Sequence, residues 1–427
     1  MAARGKSRRR ARLLVLGAGR HQTPLIARAE ERGIEVVVAD YLPDSPGKAF
    51  ATHPTMVDAF DVQAVCELAQ RYAVDGVITT GTDQPVVTMA EVAQRLGLPE
   101  IVSPRTARIA TDKSRMKEVL VDAGVVMARF VAVRDARTAI PACGEMQLPF
   151  VVKPTDSQGQ RATRRVDRRE DLEPAVAAAV AESRRGEALV EEFVEGMEVT
   201  ASVWVTDGAL DVLMVTDRVT YNAPPAIGVA VQHVHPSHYA APHLEEIAAI
   251  LERVRAAYGV DRGPMYVQMI ITPAGAVFVV EAAVRVGGGH EISLIPMVTG
   301  HDLRDRLIDL ALTGSCEPLA HDDEERGSVP HALVNFLVAR PGTIAAQLGM
   351  EELIADGVVA EGEFYRRVGD RQDIIEDGQG RVGYFITGAA TRATLMARTR
   401  GAFERLSILG ARGESLLFWP EEQYLRG

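Results

Sequence analysis

Three cysteines in 427 residues, Cys66, Cys143 and Cys316, are too few, too widely spaced and odd in number for a disulfide framework or a thiolate metal site. Such usage suits a reducing compartment, and a cytoplasmic protein is expected. No apolar run approaches the roughly 18 residues that a spanning helix needs, so an integral membrane protein is not expected. Residues 1–12 are basic and precede Leu13-Leu14-Val15-Leu16, as in a secretory leader. A leader needs about 7–15 apolar residues, whereas this run stops at Gly17; a disordered basic tail ahead of a buried strand is expected instead. Six of the 47 basic residues lie in that tail, leaving 41 against 58 acidic ones, so the body carries −17 against −11 for the whole chain. So acidic a body argues against nucleic acid as the partner. With 47% hydrophobic and 25% charged residues, the chain is neither disordered nor collagenous, and its length suits two to four packed units.

Residues 13–17 are continuously apolar, the mark of a strand buried on both faces. A helix over 24–31, a second buried strand over 35–40, a helix over 62–71 and a third strand over 76–80 follow through short links. Alternating strands and helices predict a parallel sheet in an α/β unit that closes near Ser103-Pro104. The pattern then changes to α+β with antiparallel strands. It predicts a helix over 111–124 capped by Thr111, a short strand over 149–154 stopped by proline, a polar turn over 156–160 and a helix over 170–184. Residues 188–194 and 198–205 read as a strand pair, 209–215 as a third strand and 244–258 as an amphipathic helix. Residues 265–271 and 276–281 form a hairpin around Pro273-Ala274-Gly275. From about Gly314 come short strands (331–338, 383–387) and a closing helix over 392–407. The stretch Gln232-His233-Val234-His235-Pro236-Ser237-His238 raises zinc as a reading, but no cysteine is near and proline breaks it, so a loop lining a substrate cleft is favoured.

Only five of the basic residues are lysine: Lys6, Lys48, Lys113, Lys117 and Lys153. A compact ammonium on a flexible stem reaches phosphate oxygens where a planar guanidinium does not fit. Lys153 lies on a strand just before a Gly/Ser/Gln loop, a pairing that suits a nucleotide phosphate, because the loop supplies N–H groups and the lysine supplies charge. The alternative is a surface lysine beside an ordinary turn. In Val190-Glu191-Glu192-Phe193-Val194-Glu195-Gly196-Met197-Glu198 a strand edge can offer C=O and N–H to an adenine ring, and Glu198 can hold ribose hydroxyls; a solvated acidic strand end is the plainer reading. Glu281 ends an apolar strand, where burial is costly unless the carboxylate is paired or metal-bound. Arg285 follows four residues on, and Gly287-Gly288-Gly289 lets backbone approach an anion.

In this order and spacing, Asp112-Lys113, Lys153-Pro154 with its small-residue loop, Glu191-Glu192-Phe193-Val194…Glu198, then Gln268…Glu281…Arg285, the chain resembles the ATP-grasp superfamily. It is most similar to the carboxylate–amine ligases, the group of the L-amino acid ligases, near biotin carboxylase and the purine-pathway synthetases. The resemblance covers about residues 12–410. It implies an ATP-grasp fold: a tail over 1–12, a parallel α/β domain over 13–110, an ATP-grasp domain over 111–315 with a mobile lid near 125–205, and a small β-rich C-terminal domain over 316–427. It further implies that Lys113 and Lys153 hold ATP phosphates, with Ser157, Gln158 and Gly159 in the covering loop. Glu191 and Val194 would present backbone groups to adenine, and Glu198 would bind ribose. Glu281, with Gln268 at the second ligand position, would hold Mg²⁺ (Mn²⁺ as an alternative), and Arg285 would steady the transferring phosphoryl group. Gly287, Gly288, His290 and Glu291 are candidates for the substrate side.

Two positions depart from the family pattern. Ala283 replaces a frequent Asn, and Gln268 stands where a carboxylate is common, so metal-ligating capacity is reduced; a similar Glu-x-Ala-x-Arg-x-Gly-Gly pattern occurs in some carboxylate–amine ligases. The expected function is ATP-dependent joining of a small-molecule carboxylate, an amino acid or other small acid, to an amine through an acyl phosphate, releasing ADP and phosphate. A purine-pathway or bicarbonate-using ligase and a non-catalytic ATP-binding regulatory protein are the alternatives, and a homodimer is left open. Gly17-Ala18-Gly19 also hints at a dinucleotide fingerprint, but Gln22 stands where the third glycine belongs.

Overall fold

A computed structural model describes residues 9–319 and 329–419 of the chain, so the expected basic tail falls mostly outside the described residues. Strands β1 (Arg12–Leu16), β2 (Glu35–Ala39), β3 (His53–Thr55) and β4 (Gly76–Ile78) form a parallel sheet in the order β3-β2-β1-β4. Helices α1 (Thr23–Glu31), α2 (Val62–Tyr72), α3 (Pro85–Leu96) and α4 (Pro104–Ala110) connect and follow these strands. Leu13, Leu14, Val15 and Leu16 are fully buried, which is why β1 shows no alternation. At the end of β2 the Asp40 carboxylate accepts N–H groups from Ala18 and Leu42, both at 2.8 Å, and so fixes the turn after β1.

Helix α5 (Lys113–Asp122) is capped by Asp112, whose carboxylate accepts from the N–H groups of Ser114 and Arg115. The expected cap, Thr111, instead donates its hydroxyl to Ala107 O of α4, so the helix starts one residue later. Next comes a small antiparallel unit. It holds β5 (Phe130–Val133), α6 (Ala139–Cys143), β6 (Phe150–Pro154), β7 (Arg164–Val166), α7 (Leu172–Glu182) and β8 (Ala188–Glu192), in sheet order β5-β8-β6-β7. It has a separate apolar core around Phe150, Val152, Leu172, Val176 and Val190.

The largest sheet begins with β9 (Met197–Thr206), β10 (Ala209–Tyr221) and β11 (Val229–His235). After α8 (Leu244–Tyr258) come the hairpin strands β12 (Gly263–Ile271) and β13 (Val277–Ala283), then α9 (Glu291–Thr299) and α10 (Leu303–Thr313). The C-terminal part adds β14 (His331–Ala339), β15 (Gly342–Leu348), α11 (Met350–Ala355), β16 (Glu361–Phe364), β17 (Arg371–Gln372), β18 (Gly383–Ala389), α12 (Arg392–Arg405), β19 (Ser407–Gly410) and β20 (Leu417–Phe418). The large sheet runs β13-β12-β9-β10-β11-β14-β18-β16, with β20 beside β14, so the C-terminal part continues the sheet of the central part. Among the described residues no helix is long and apolar enough to cross a membrane.

Two expectations fail here. The segments 188–194 and 198–205 are strands but do not pair. Both edges of β8 are already taken by β5 and β6, and β9 pairs with β10 and β12 instead. The stretch 232–238 is not a loop for most of its length: β11 lies between β10 and β14 inside the sheet, and His233 is buried. Apolar neighbours within β11 outweigh the turn signal of Pro236.

Gly196 carries the chain from one sheet to the other where it has no room for a side chain: a Cβ there would stand 2.3 Å from Ile271 O. Gly196→Ala is therefore expected to destabilise the protein by about 1–3 kcal/mol in urea denaturation. Gly401, within α12 and with no atom near its missing Cβ, is the control: Gly401→Ala should stabilise by up to about 1 kcal/mol.

Candidate active site

Between the small antiparallel sheet and the β12–β13 end of the large sheet lies a cavity of about 540 Å³. Ten of the residues singled out from the sequence line it: Lys113, Lys153, Ser157, Gln158, Gly159, Glu191, Val194, Glu198, Gln268 and Glu281. Its apolar walls include Val151, Phe193, Ile270, Phe278 and Val280. Helix α5 brings Lys113 and Lys117 one turn apart onto the same face, β6 brings Lys153, β8 brings Glu191, and β13 brings Glu281.

The charged groups are organised in pairs. Lys113 Nζ lies 3.1 Å from Glu281 and donates to Ser157 O at 2.6 Å, which ties α5 to the loop. Lys153 Nζ lies 2.7 Å from one Glu191 oxygen, and Lys117 Nζ 3.3 Å from the other. Burial pushes the Glu191 carboxyl up, but the charges of Lys117 and Lys153 outweigh it and hold its pKa below the ordinary carboxylate value. Glu281 behaves alike: burial raises it, Lys113 and Lys153 lower it, and the net direction is down. Lys113 is pulled down by burial and pulled up further by Glu281 and Asp83. Lys117 goes the other way, because burial outweighs the pull of Glu191.

The placement of some residues differs from the expectation. Glu191 is an interior strand residue in register with Phe130 and Val151, and it offers the cavity its carboxylate; Val194 lies just beyond the end of β8. Glu198 is held by Arg218 and by Gln268 Nε2 at 2.7 Å, so its carboxylate is already engaged. Gln268 stands opposite Glu281 in the β12–β13 register. Among the described residues no three His, Cys, Asp or Glu groups cluster to cage a metal. The available hard donors at the cavity's charged end are the Glu281 carboxylate and the Gln268 amide oxygen. That set fits Mg²⁺, which is commonly held by one or two carboxylates plus the phosphates of a bound nucleotide.

Arg285, Gly287, Gly288, His290 and Glu291 lie outside the cavity lining and form a second group beside it. Arg285 pairs with Asp83 at 2.6 Å; Asp83 N–H in turn donates to Gln158 Oε1 at 2.8 Å, which links the two groups. The loop is also fastened at its other side, where Gly159 O accepts from Gly378 N–H at 2.9 Å. Glu291 is fully buried. It accepts from Ser202 Oγ at 2.5 Å and from Gly287 N–H, and burial raises its pKa. A Cβ on Gly287 would lie 2.3 Å from that carboxylate, so Glu291 holds the glycine loop from behind rather than facing solvent. Gly288 abuts the Gly81 carbonyl. His290 donates to or accepts from Tyr365 Oη at 2.6 Å and stacks on Tyr384 at 3.5 Å, with His21 5.5 Å away. Burial, then Arg381, Arg285 and Arg20, lowers the His21 pKa to about 4.

Sequence reasoning missed Lys117, Asp83, Arg218, His21, Tyr365 and Tyr384. Lys117 was within reach, as the fifth lysine and four residues after Lys113. Asp83 follows β4 at the carboxyl end of a parallel strand, where ligands gather in open α/β sheets. Nothing local marked the two tyrosines, which come from a separate part of the chain.

An ATP-grasp domain model matches residues 146–293, and L-amino acid ligase C-terminal domain 2 matches residues 335–409. Over 199 residues the chain is 31% identical to phosphoribosylamine–glycine ligase of Streptomyces coelicolor, covering 46% of each chain. Curated relatives are spanned only in part, between 46% and 65% of their length for the first matches. Among solved structures, an L-amino acid ligase from Bacillus licheniformis superposes with TM-score 0.79 at 20% identity, over 95% of this chain and 100% of that one. Phosphoribosylglycinamide synthetase from Anaerococcus prevotii gives 0.73 at 22% identity, over 94% and 100%. These likenesses establish the ATP-grasp fold.

Neutral, buried His21 makes stability depend on pH. As pH falls below 6.5 the unfolded chain takes up the proton first, so the contribution of neutral His21 is complete above 6.5 and is lost as pH falls toward 4. His21→Gln is expected to flatten stability against pH in that window by up to about 1.4 kcal/mol per pH unit, measured by denaturation.

Proposed function

For a chain that carries an ATP-grasp domain followed by an L-amino acid ligase C-terminal domain, we propose ATP-dependent ligation of a small carboxylate to an amine. The observation that carries this reading is the convergence of Lys113, Lys117, Lys153 and Glu281 from α5, β6 and β13 on one cavity that also has apolar walls. Those walls suit a base, and the lysines suit a polyphosphate.

A carboxylate does not react with an amine at neutral pH, and phosphorylation gives it a leaving group. The barrier to that transfer is largely repulsion between a polyanionic nucleotide and an anionic acid, so fixed positive charge lowers it. Lys113 and Lys153 hold the phosphates in this reading. Arg285, oriented by Asp83, steadies the charge that develops on the acid side, next to the Gly287–Gly288 backbone. Glu281 with Gln268 would hold Mg²⁺, which supplies charge neutralisation between phosphate oxygens. Ser157, Gln158 and Gly159, fastened to Asp83 and Gly378, keep water from the acyl phosphate. The acid and amine sit toward His21, His290, Tyr365 and Tyr384, where the three parts of the chain meet. The amine attacks the acyl carbon, phosphate leaves, and an amide forms. The match of residues 335–409 favours an amino acid as the acid over a purine intermediate or bicarbonate.

The test is a screen of amino acids and other acids against amines with Mg²⁺ and ATP, scored for amide, nucleotide and phosphate. ADP should appear in step with amide, and Glu281→Gln should lower turnover by about 100-fold or more. AMP as the nucleotide product would contradict phosphoryl transfer; full activity in Glu281→Gln would contradict the metal assignment.

A further inference from the structure

Of the three lysines on the cavity, Lys117 has the least obvious task. Lys113 has Glu281 and Ser157 O, and Lys153 has Glu191 at 2.7 Å. The Lys117 side chain is fully buried and lies 3.3 Å from the second Glu191 oxygen and 5.5 Å from the Phe130 ring centre. A buried ion pair is expensive to keep, and a leucine or methionine would fill the space of Lys117 at lower cost. The site therefore points to a use for the charge.

Charge counting supplies one. Lys117, Glu191 and Lys153 together carry +1. With an apolar residue at 117, Glu191 and Lys153 would form a closed neutral pair at 2.7 Å, and the Lys153 ammonium would be spent on the carboxylate. A side-chain oxygen at 191, carboxylate or amide, is still needed, because a lone Lys153 on β6 would have nothing in β8 to hold its head toward the cavity. Coulomb attraction in a partly buried site is several-fold stronger than in water, so one charge more or less in this group changes the pull on a polyanion appreciably.

We propose that Lys117 is a positioning residue for the nucleotide phosphates: it takes up the charge of Glu191, so that Lys153 is held in place yet remains available to a polyanion. The inference deepens the proposed function and rests on the cavity being an ATP site. It says that Lys117 acts through Glu191 on phosphate binding, and that it has no direct part in holding the base.

The experiment titrates the full chain calorimetrically with a non-hydrolysable ATP analogue in Mg²⁺ and, separately, with adenosine. Thermal unfolding of each variant checks the fold. Lys117→Met should weaken the analogue about tenfold or more and leave adenosine affinity unchanged. The double variant Lys117→Met with Glu191→Gln restores the count of +1 and should recover most of the lost affinity. Should Lys117→Met not fold, Glu191→Gln alone decides: with the carboxylate gone, the analogue should bind at least as tightly as in the native protein. Equal losses for analogue and adenosine, no recovery in the double variant, or weaker analogue binding in Glu191→Gln would overturn the inference and make Lys117 a packing residue. Failure of the folded native protein to bind the analogue would overturn the ATP reading itself, and the inference with it.

Discussion

Keeping an ammonium out of water is costly unless a carboxylate or a bound anion answers it, and this chain does so three times around one cavity. Glu191 is the hinge of that arrangement. It sits in the middle of the small sheet, in register with Phe130 and Val151, and it reaches one lysine from its own sheet and one from α5. Glu281 and Lys113 repeat the device on the other wall. At this end the cavity is lined by these charged pairs, Lys113 with Glu281 and Lys153 and Lys117 with Glu191.

Around that core of charge the rest of the fold has a recognisable division of labour. The loop after β4 sets Asp83 where its carboxylate orients Arg285 and its N–H donates to Gln158. The C-terminal part, continuous with the large sheet through β11 and β14, brings Tyr365 and Tyr384 against His290 and fastens the loop at Gly378. Anchored in this way, the loop joins two other parts of the chain to the charged end of the cavity.

Much of this was legible in the sequence where a single residue type or period carried the signal. The buried strand over 13–17, the hairpin around Pro273-Ala274-Gly275, and Lys153, Glu191 and Glu281 on their strands all fall where the pattern put them. What escaped was long-range. Whether 188–194 and 198–205 pair depends on which edges β5, β6, β10 and β12 occupy, and strand patterns carry no partner information. The histidines of β11 were masked by a proline at the strand's end. Glu198 read as an open carboxylate because Arg218, twenty residues on, gave no local sign of answering it. Lys117 escaped for a different reason: in sequence it looks like an ordinary helix lysine, and only its complete burial separates it from one.

In the proposed reaction this cavity passes a phosphoryl group to a carboxylate. Isotope transfer tests it most directly. The acid substrate, labelled with ¹⁸O in its carboxylate, is turned over with Mg²⁺, ATP and the amine, and the released phosphate is analysed by mass spectrometry. Attack of the carboxylate on the terminal phosphorus moves one labelled oxygen into phosphate, so phosphate carrying a single ¹⁸O is the predicted result. Unlabelled phosphate, with the label retained in the amide and in AMP, would contradict the account.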